Sequence, residues 1–415
     1  MQIGGVEMKT KVILCGLWIM LILSYCPGLL GSTPNDSSTV EAVPNNSTAV
    51  AAEETAPWTT ETFLDVADFE EALRRVDEQM VEQGGLPFLR SWYERLKKGE
   101  IPFNFSTLKE LIAGVFFNQL RIQSVWIGQL LVLSVICVLL EHLRQAFVSP
   151  GASRIASLVC LALIMSVTLQ SITQSLQIAR LAIDRMGSFM EVLVPLIMTI
   201  MLAMGHGTTV AVMQPLVLSA MSFLTLQVHH VVFPIIMIYL ALSLANGLSE
   251  HQPVAQLTKF LKQIIQWGIG LTMTLFSAAL AISGGFASVV DGVTLRTAKF
   301  MASNLIPVAG KIFADVLDTA AGASMLLKSS LGAIGLLVII IIIGLPLLQI
   351  LLQAMVLRLT GAILEPLGDQ KTSAILAELS GVLMLIFTVL GAIGIMVIMT
   401  LAALLLAGNS ALMLR

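Results

Sequence analysis

Long runs without a charged side chain constrain this chain more than any other feature. The strongest, 155–177, 264–287, 331–352 and 379–407, contain no Asp, Glu, Lys or Arg. A bilayer core of about 30 Å is crossed by about 20 helical residues, so each run is long enough to span it. In lipid the backbone must satisfy its own hydrogen bonds, which turns such runs into helices. A transmembrane barrel would show short alternating segments instead. Composition agrees, with 56% hydrophobic and 12% charged residues and a mean hydropathy of +0.90. A soluble domain carries roughly 25% charged residues. The net charge of -3 gives no electrostatic case for nucleic-acid binding.

Weaker runs at 122–141, 189–205, 209–228 and 231–248 complete the set. The expected fold class is all-α, a polytopic integral membrane helical bundle of about seven or eight transmembrane helices after an N-terminal signal peptide. Residues 189–205 and 209–228 are parted only by Gly205-His-Gly-Thr208, read as a tight hairpin or a broken, re-entrant element.

Residues 1–31 read as the leader. Lys9 and Lys11 precede the apolar stretch Val12 to Tyr25, and Pro27-Gly-Leu-Leu-Gly31 forms a turn-rich exit. Leu29 is large for a cleavage site, so an uncleaved anchor is the rival reading. Residues 32–62, rich in Ser, Thr, Asn and Pro, read as a disordered spacer. Residues 63–121 read as an extracytoplasmic amphipathic helical segment, in which Phe63, Val66, Phe69, Leu73, Val76 and Met80 recur at helical spacing. The transmembrane domain then occupies 122–415. Lysine and arginine divide almost evenly between the two sets of connections, so orientation, with the N-terminus outside, rests on the leader.

The polar stretches between spans hold the candidate functional residues. The connection 290–330 carries Asp291, Arg296 and Lys299 before an Asn304-x-x-Pro307-x-x-Gly310 turn, and Asp315 and Asp318 after it. Residues three apart share a helix face. The turn would therefore make an antiparallel, charge-matched hairpin, either amphipathic at the interface or re-entrant within the bundle. Ionisable groups at membrane depth are functional candidates by default. Glu191, among apolar neighbours and four residues before Pro195, is expected to face inward. Glu365, in Glu365-Pro-Leu-Gly-Asp369, faces a cavity or sits in a solvated turn. His229 and His230 point about 100° apart on a helix and are no chelating pair; a membrane-interface location fits them better. Recurring small residues, including Gly332, Gly335, Gly391 and Gly394, permit close helix approach within the chain or between subunits.

Signatures of catalysis do not occur. The sequence contains no GxxxxGK[ST], HExxH or GxSxG. Cys137 and Cys160 lie in apolar runs and offer no CxxC metal site. No catalytic, cofactor or metal residues are assigned, and no cofactor is expected.

Several of these segments, taken in order, carry a resemblance. They are Asp291-Gly-Val-Thr-Leu-Arg-Thr-Ala-Lys-Phe300, Asn304-Leu-Ile-Pro-Val-Ala-Gly310, Asp315-Val-Leu-Asp-Thr319, Leu326-Leu-Lys328, Glu365-Pro-Leu-Gly368 and Ala407-Gly-Asn-Ser410 with Met413. The chain resembles the stage III sporulation protein AE family of endospore-forming Firmicutes from about Phe63 onward, most strongly after about 285. Gly368-Asp-Gln departs from a more Gly-rich turn. The resemblance implies a non-enzymatic membrane subunit of a mother-cell-to-forespore channel, secretion-like or a feeding tube, required for endospore formation. It implies the mother-cell membrane around the forespore as location. The implied partners are other membrane proteins of the same operon, a forespore-membrane protein and the operon's ATPase. A homo-oligomer is compatible with it. The other readings are a stand-alone permease for a small solute and a membrane scaffold for soluble partners.

Overall fold

The computed structural model describes Arg74 and residues 105–146, 150–248, 254–305, 309–367 and 370–407, all within one compact unit, 67–415. The leader, the spacer and, Arg74 apart, the amphipathic stretch 63–98 lie outside the described residues. Among the described residues from 105 onward, seven α-helices follow one another: α1 (Phe105–Ala146), α2 (Pro150–Ala203), α3 (Gly207–Gln227), α4 (Phe233–Leu248), α5 (Ala255–Leu305), α6 (Ala309–Leu364) and α7 (Gln370–Ala407). A π-helical turn, Val228–Val232, joins α3 to α4 without a break.

The all-α polytopic reading stands, with six helical spans long and apolar enough to cross a membrane among the described residues. The count is lower than the sequence suggested because two pairs of runs fuse. Residues 155–177 and 189–205 are parts of one helix, α2. Between Gln177 and Phe189 the only helix-weakening residue is Gly187, which leaves Arg180, Asp184 and Arg185 in mid-helix rather than in a connection. Likewise 209–228 and 231–248 are continuous through the π turn.

The break at 204–206, in contrast, is a true chain reversal. Gly205 adopts φ 86, a left-handed conformation in which a Cβ is costly. Its N–H donates to the Leu202 carbonyl and that of His206 to the Met201 carbonyl, the paired bonds of a Schellman C-cap.

Helix α7 is the centre of the bundle, packed against α2, α4, α5 and most extensively α6. Close approach of α6 and α7 depends on glycine. A Cβ on Gly332 would fall 2.2 Å from Leu405 Cδ2, and one on Gly394 would fall 2.8 Å from Ile343 Cδ1. On Gly335 it would meet Leu193 of α2 at 2.5 Å. Gly391 has only an ordinary contact, 3.9 Å to Leu347.

Three helices mark the depth of the apolar slab. No charge interrupts α5 from Gln263 to Val290, α6 from Ser329 to Leu357, or α7 from Leu379 to Ala407. Each run is about 42 Å long at 1.5 Å per residue, a bilayer with its headgroup regions. Lys259, Lys262, Arg358 and Lys371 bound one end, and Asp291 and Lys328 the other.

Candidate functional site

At the second of these ends, four helices meet in a buried polar junction. Helix α3 begins straight after the Gly205 turn, so its first N–H groups have no partner within the helix. His206 stands at the N-cap and makes no side-chain cap bond. The cap comes from α5 instead. The backbone N–H of Thr208 donates to Asp291 Oδ1 at 2.9 Å and that of Thr209 to Oδ2 at 2.8 Å. A carboxylate at the positive end of a helix dipole is well matched. Asp291 is 2% exposed.

Lys328 of α6 is also buried, and its Nζ donates to the Leu405 carbonyl at 3.0 Å. That carbonyl lies in the last turn of α7, where acceptors lack helical donors and positive charge is favoured. His206 feels both charges, its Nδ1 3.9 Å from Asp291 Oδ2 and beyond hydrogen-bond reach. Burial lowers its pKa from the ordinary 6.5, Asp291 opposes the shift, and Lys328 reinforces it. The fold therefore holds the imidazole neutral. A depressed folded value leaves stability intact above 6.5 and removes it as pH falls below 6.5 toward the folded value. The melting temperature of the purified protein is expected to drop over that window, and His206→Asn to flatten the profile.

A second polar layer crosses the middle of the slab. Gln227 Nε2 donates to Thr272 Oγ1 at 2.9 Å. Thr272 is ten residues from Lys262 and nineteen from Asp291 along α5, so this bond lies well inside the uncharged run. Two residues on, in the π segment, His229 Nε2 is 2.9 Å from Asp184 Oδ1 of α2. The Arg180 guanidinium stacks over Phe233 with its carbon 4.9 Å from the ring centroid, and His229 meets the same ring edge-on. A π turn inside an α-helix is itself often a mark of a functional segment. Ser175 of α2 donates to Gln353 of α6.

The sequence candidates separate in the structure. Asp291 leaves the hairpin and turns into the bundle. Arg296 is exposed on α5. Lys299, on α5, and Asp315 and Asp318, on α6, are helical, with side chains outside the described residues. The tip at 306–308 is also outside them. Glu191 is exposed rather than inward-facing, because α2 buries Phe189, Met190, Leu193 and Val194 on its inner side. Glu365 is exposed in the turn after α6, its N–H donating to the Gly361 carbonyl. His229 contacts Asp184 inside the apolar slab and not at its edge, and His230 Nδ1 pairs with the Leu226 carbonyl at 3.1 Å. Sequence reasoning missed the Arg180–Asp184 segment by placing it in a connection. The signal was the lack of a breaker between Gln177 and Phe189.

Comparison with known proteins gives one consistent result. The sequence model of a family described as Stage III sporulation protein AE (spore_III_AE) matches residues 89–408. A Bacillus subtilis (strain 168) protein named Stage III sporulation protein AE is 30% identical over 317 residues, covering 76% of this chain and 79% of that protein. No solved structure matches.

Proposed function

Because the chain belongs to the stage III sporulation protein AE family, we propose that it acts in endospore formation as a non-enzymatic, multi-pass subunit of a channel joining mother cell and forespore. Its place would be the mother-cell membrane around the forespore. Its partners would be the other membrane proteins of the same operon, a forespore-membrane protein and an ATPase that supplies energy. One observation carries this reading. Segments on which the resemblance rests, around Asp291, Lys328 and the end of α7, converge in one buried polar junction tying α3, α5, α6 and α7 together. Such a junction fixes the base of the α5–α6 hairpin against the bundle and suits a subunit that presents the hairpin to partners.

Deleting the chain from its spore-forming host is expected to abolish most heat-resistant spores, with restoration by the wild-type chain. Affinity capture from engulfed sporangia is expected to recover the operon's other membrane proteins. A full spore yield without the chain would sink the sporulation reading. Capture of no such partner, with solute flux by the purified chain in liposomes, would favour the stand-alone permease.

A further inference from the structure

Helix α2 presents an unusual outer face. Between 170 and 191 its exposed residues are Gln170, Gln174, Gln177, Asp184, Ser188 and Glu191, with Leu181 completing the series. The intervals alternate four and three throughout. Residues at these spacings stand one above another on a single face of the helix.

The stripe lies at the depth of the apolar slab. Near one end, Ser175 is bonded to Gln353, five residues from Arg358 on α6. Near the other, Leu193 packs where Gly335 lies, seven residues from Lys328. The stripe therefore runs about 32 Å at 1.5 Å per residue, nearly the full thickness between the charged ends. Left facing hydrocarbon, its amides and carboxylates would lose the hydrogen bonds that water gives them. Something must cover it.

We propose that the cover is a second copy of this chain, docked α2 against α2 in the parallel arrangement that a shared membrane orientation requires. In that arrangement each stripe residue meets its own equivalent. Glutamine suits such layers, because every amide carries both donors and an acceptor and can pair with an identical amide. Ser188 pairs in the same way. Asp184 stands against His229 of its own copy, Nε2 2.9 Å from Oδ1, so its layer is not two bare carboxylates. Glu191 closes the seam one turn before Pro195, which removes the backbone bond to the Glu191 carbonyl and lets the helices part. The stripe is one residue wide, with Leu169, Ile178 and Val192 half-buried beside it. That width fits a seam better than the wall of a water-filled path. The proposal stands apart from the sporulation reading, since its readout is contact between copies.

The test uses the full chain in membranes, with Cys15, Cys26, Cys137 and Cys160 replaced by Ala. Single cysteines are placed at Gln174, Gln177, Leu181 and Ser188, and at the exposed controls Ile238 and Leu275 on α4 and α5. Oxidation is expected to give disulfide dimers of two differently tagged copies at the four seam positions and none at the controls. A second variant, Q170L/Q174L/Q177L, is expected to cut energy transfer between labelled copies in a way that reflects about tenfold or more weaker association, about threefold per lost interhelical bond. Absence of seam dimers overturns the proposal, whether the thiols react with a charged, impermeant reagent (a water-lined face), link to a different protein, or stay silent. Undiminished association of the leucine variant overturns it as well.

Discussion

Asp291→Ala is expected to destabilise the purified protein by about 3–5 kcal/mol, a loss large enough to prevent its accumulation in the membrane. Two backbone donors at the start of α3 end on this one carboxylate, at 2.8 and 2.9 Å. Truncation leaves both N–H groups buried and unpaired at the positive end of a helix, and it removes the anion nearest His206. Asp291→Asn keeps one acceptor oxygen and the side-chain volume, so it is expected to cost about 1–3 kcal/mol. Arg296→Ala, five residues on but exposed, is expected to stay within about 0.5 kcal/mol. Thermal unfolding in detergent, read by tertiary fluorescence, ranks the three. Equal losses for Asp291→Ala and Arg296→Ala would refute the capping role. Spore yield adds a second scale, because Asp291→Asn folds well enough to separate a structural loss from a functional one.

How far this junction was legible in sequence can be traced residue by residue. The apolar runs are one-dimensional features, and they led directly to an all-helical membrane bundle. Asp291 also stood out, as an acid at the edge of a long apolar run. Its partner did not, because a cap donated from 83 residues away leaves no local pattern. The capping residue at the start of α3 would ordinarily be Ser, Thr, Asp or Asn, and here the position is His206. Lys328 entered only as part of a family motif, since nothing local says that an ammonium in Leu326-Leu-Lys328 is buried. The division of α2 into two spans failed for a different reason. Charges at Arg180, Asp184 and Arg185 lower the hydropathy that marks a span, yet they do not stop a helix. Only breakers do, and none stronger than Gly187 lies there. The Asp184–His229 pair, the Arg180–Phe233 stack and the outer polar stripe all follow from that continuity, and so none of them could be drawn from the hydropathy pattern.

Lys328 sets the complementary test, at the last turn of α7. It is among the largest fully buried side chains, 1% exposed, with its ammonium on the Leu405 carbonyl. Lys328→Met preserves the unbranched stem and removes the charge. It is expected to cost about 1–3 kcal/mol, because the Leu405 carbonyl in the last turn of α7 loses the donor that meets it. Lys328→Arg is not a rescue. A guanidinium is larger and planar, and in a closely packed site overpacking costs about 1–3 kcal/mol. The informative variant is the double one, Asp291→Asn with Lys328→Met, which neutralises both charges together. If the two groups balance one another across the junction, the double variant is less damaged than the sum of the singles by about 0.5–3 kcal/mol. His206 reports on the same balance independently. Asp291 raises its pKa while Lys328 lowers it, so Lys328→Met alone should shrink the loss of stability below pH 6.5, and Asp291→Asn alone should enlarge it. Strict additivity within about 0.5 kcal/mol, with the acid-side loss unmoved in either single variant, would mean that the carboxylate and the ammonium serve two helix ends separately. Coupling in both measurements would make the junction one electrostatic unit, and any partner that presses on the α5–α6 hairpin would then act on α3 and α7 through it.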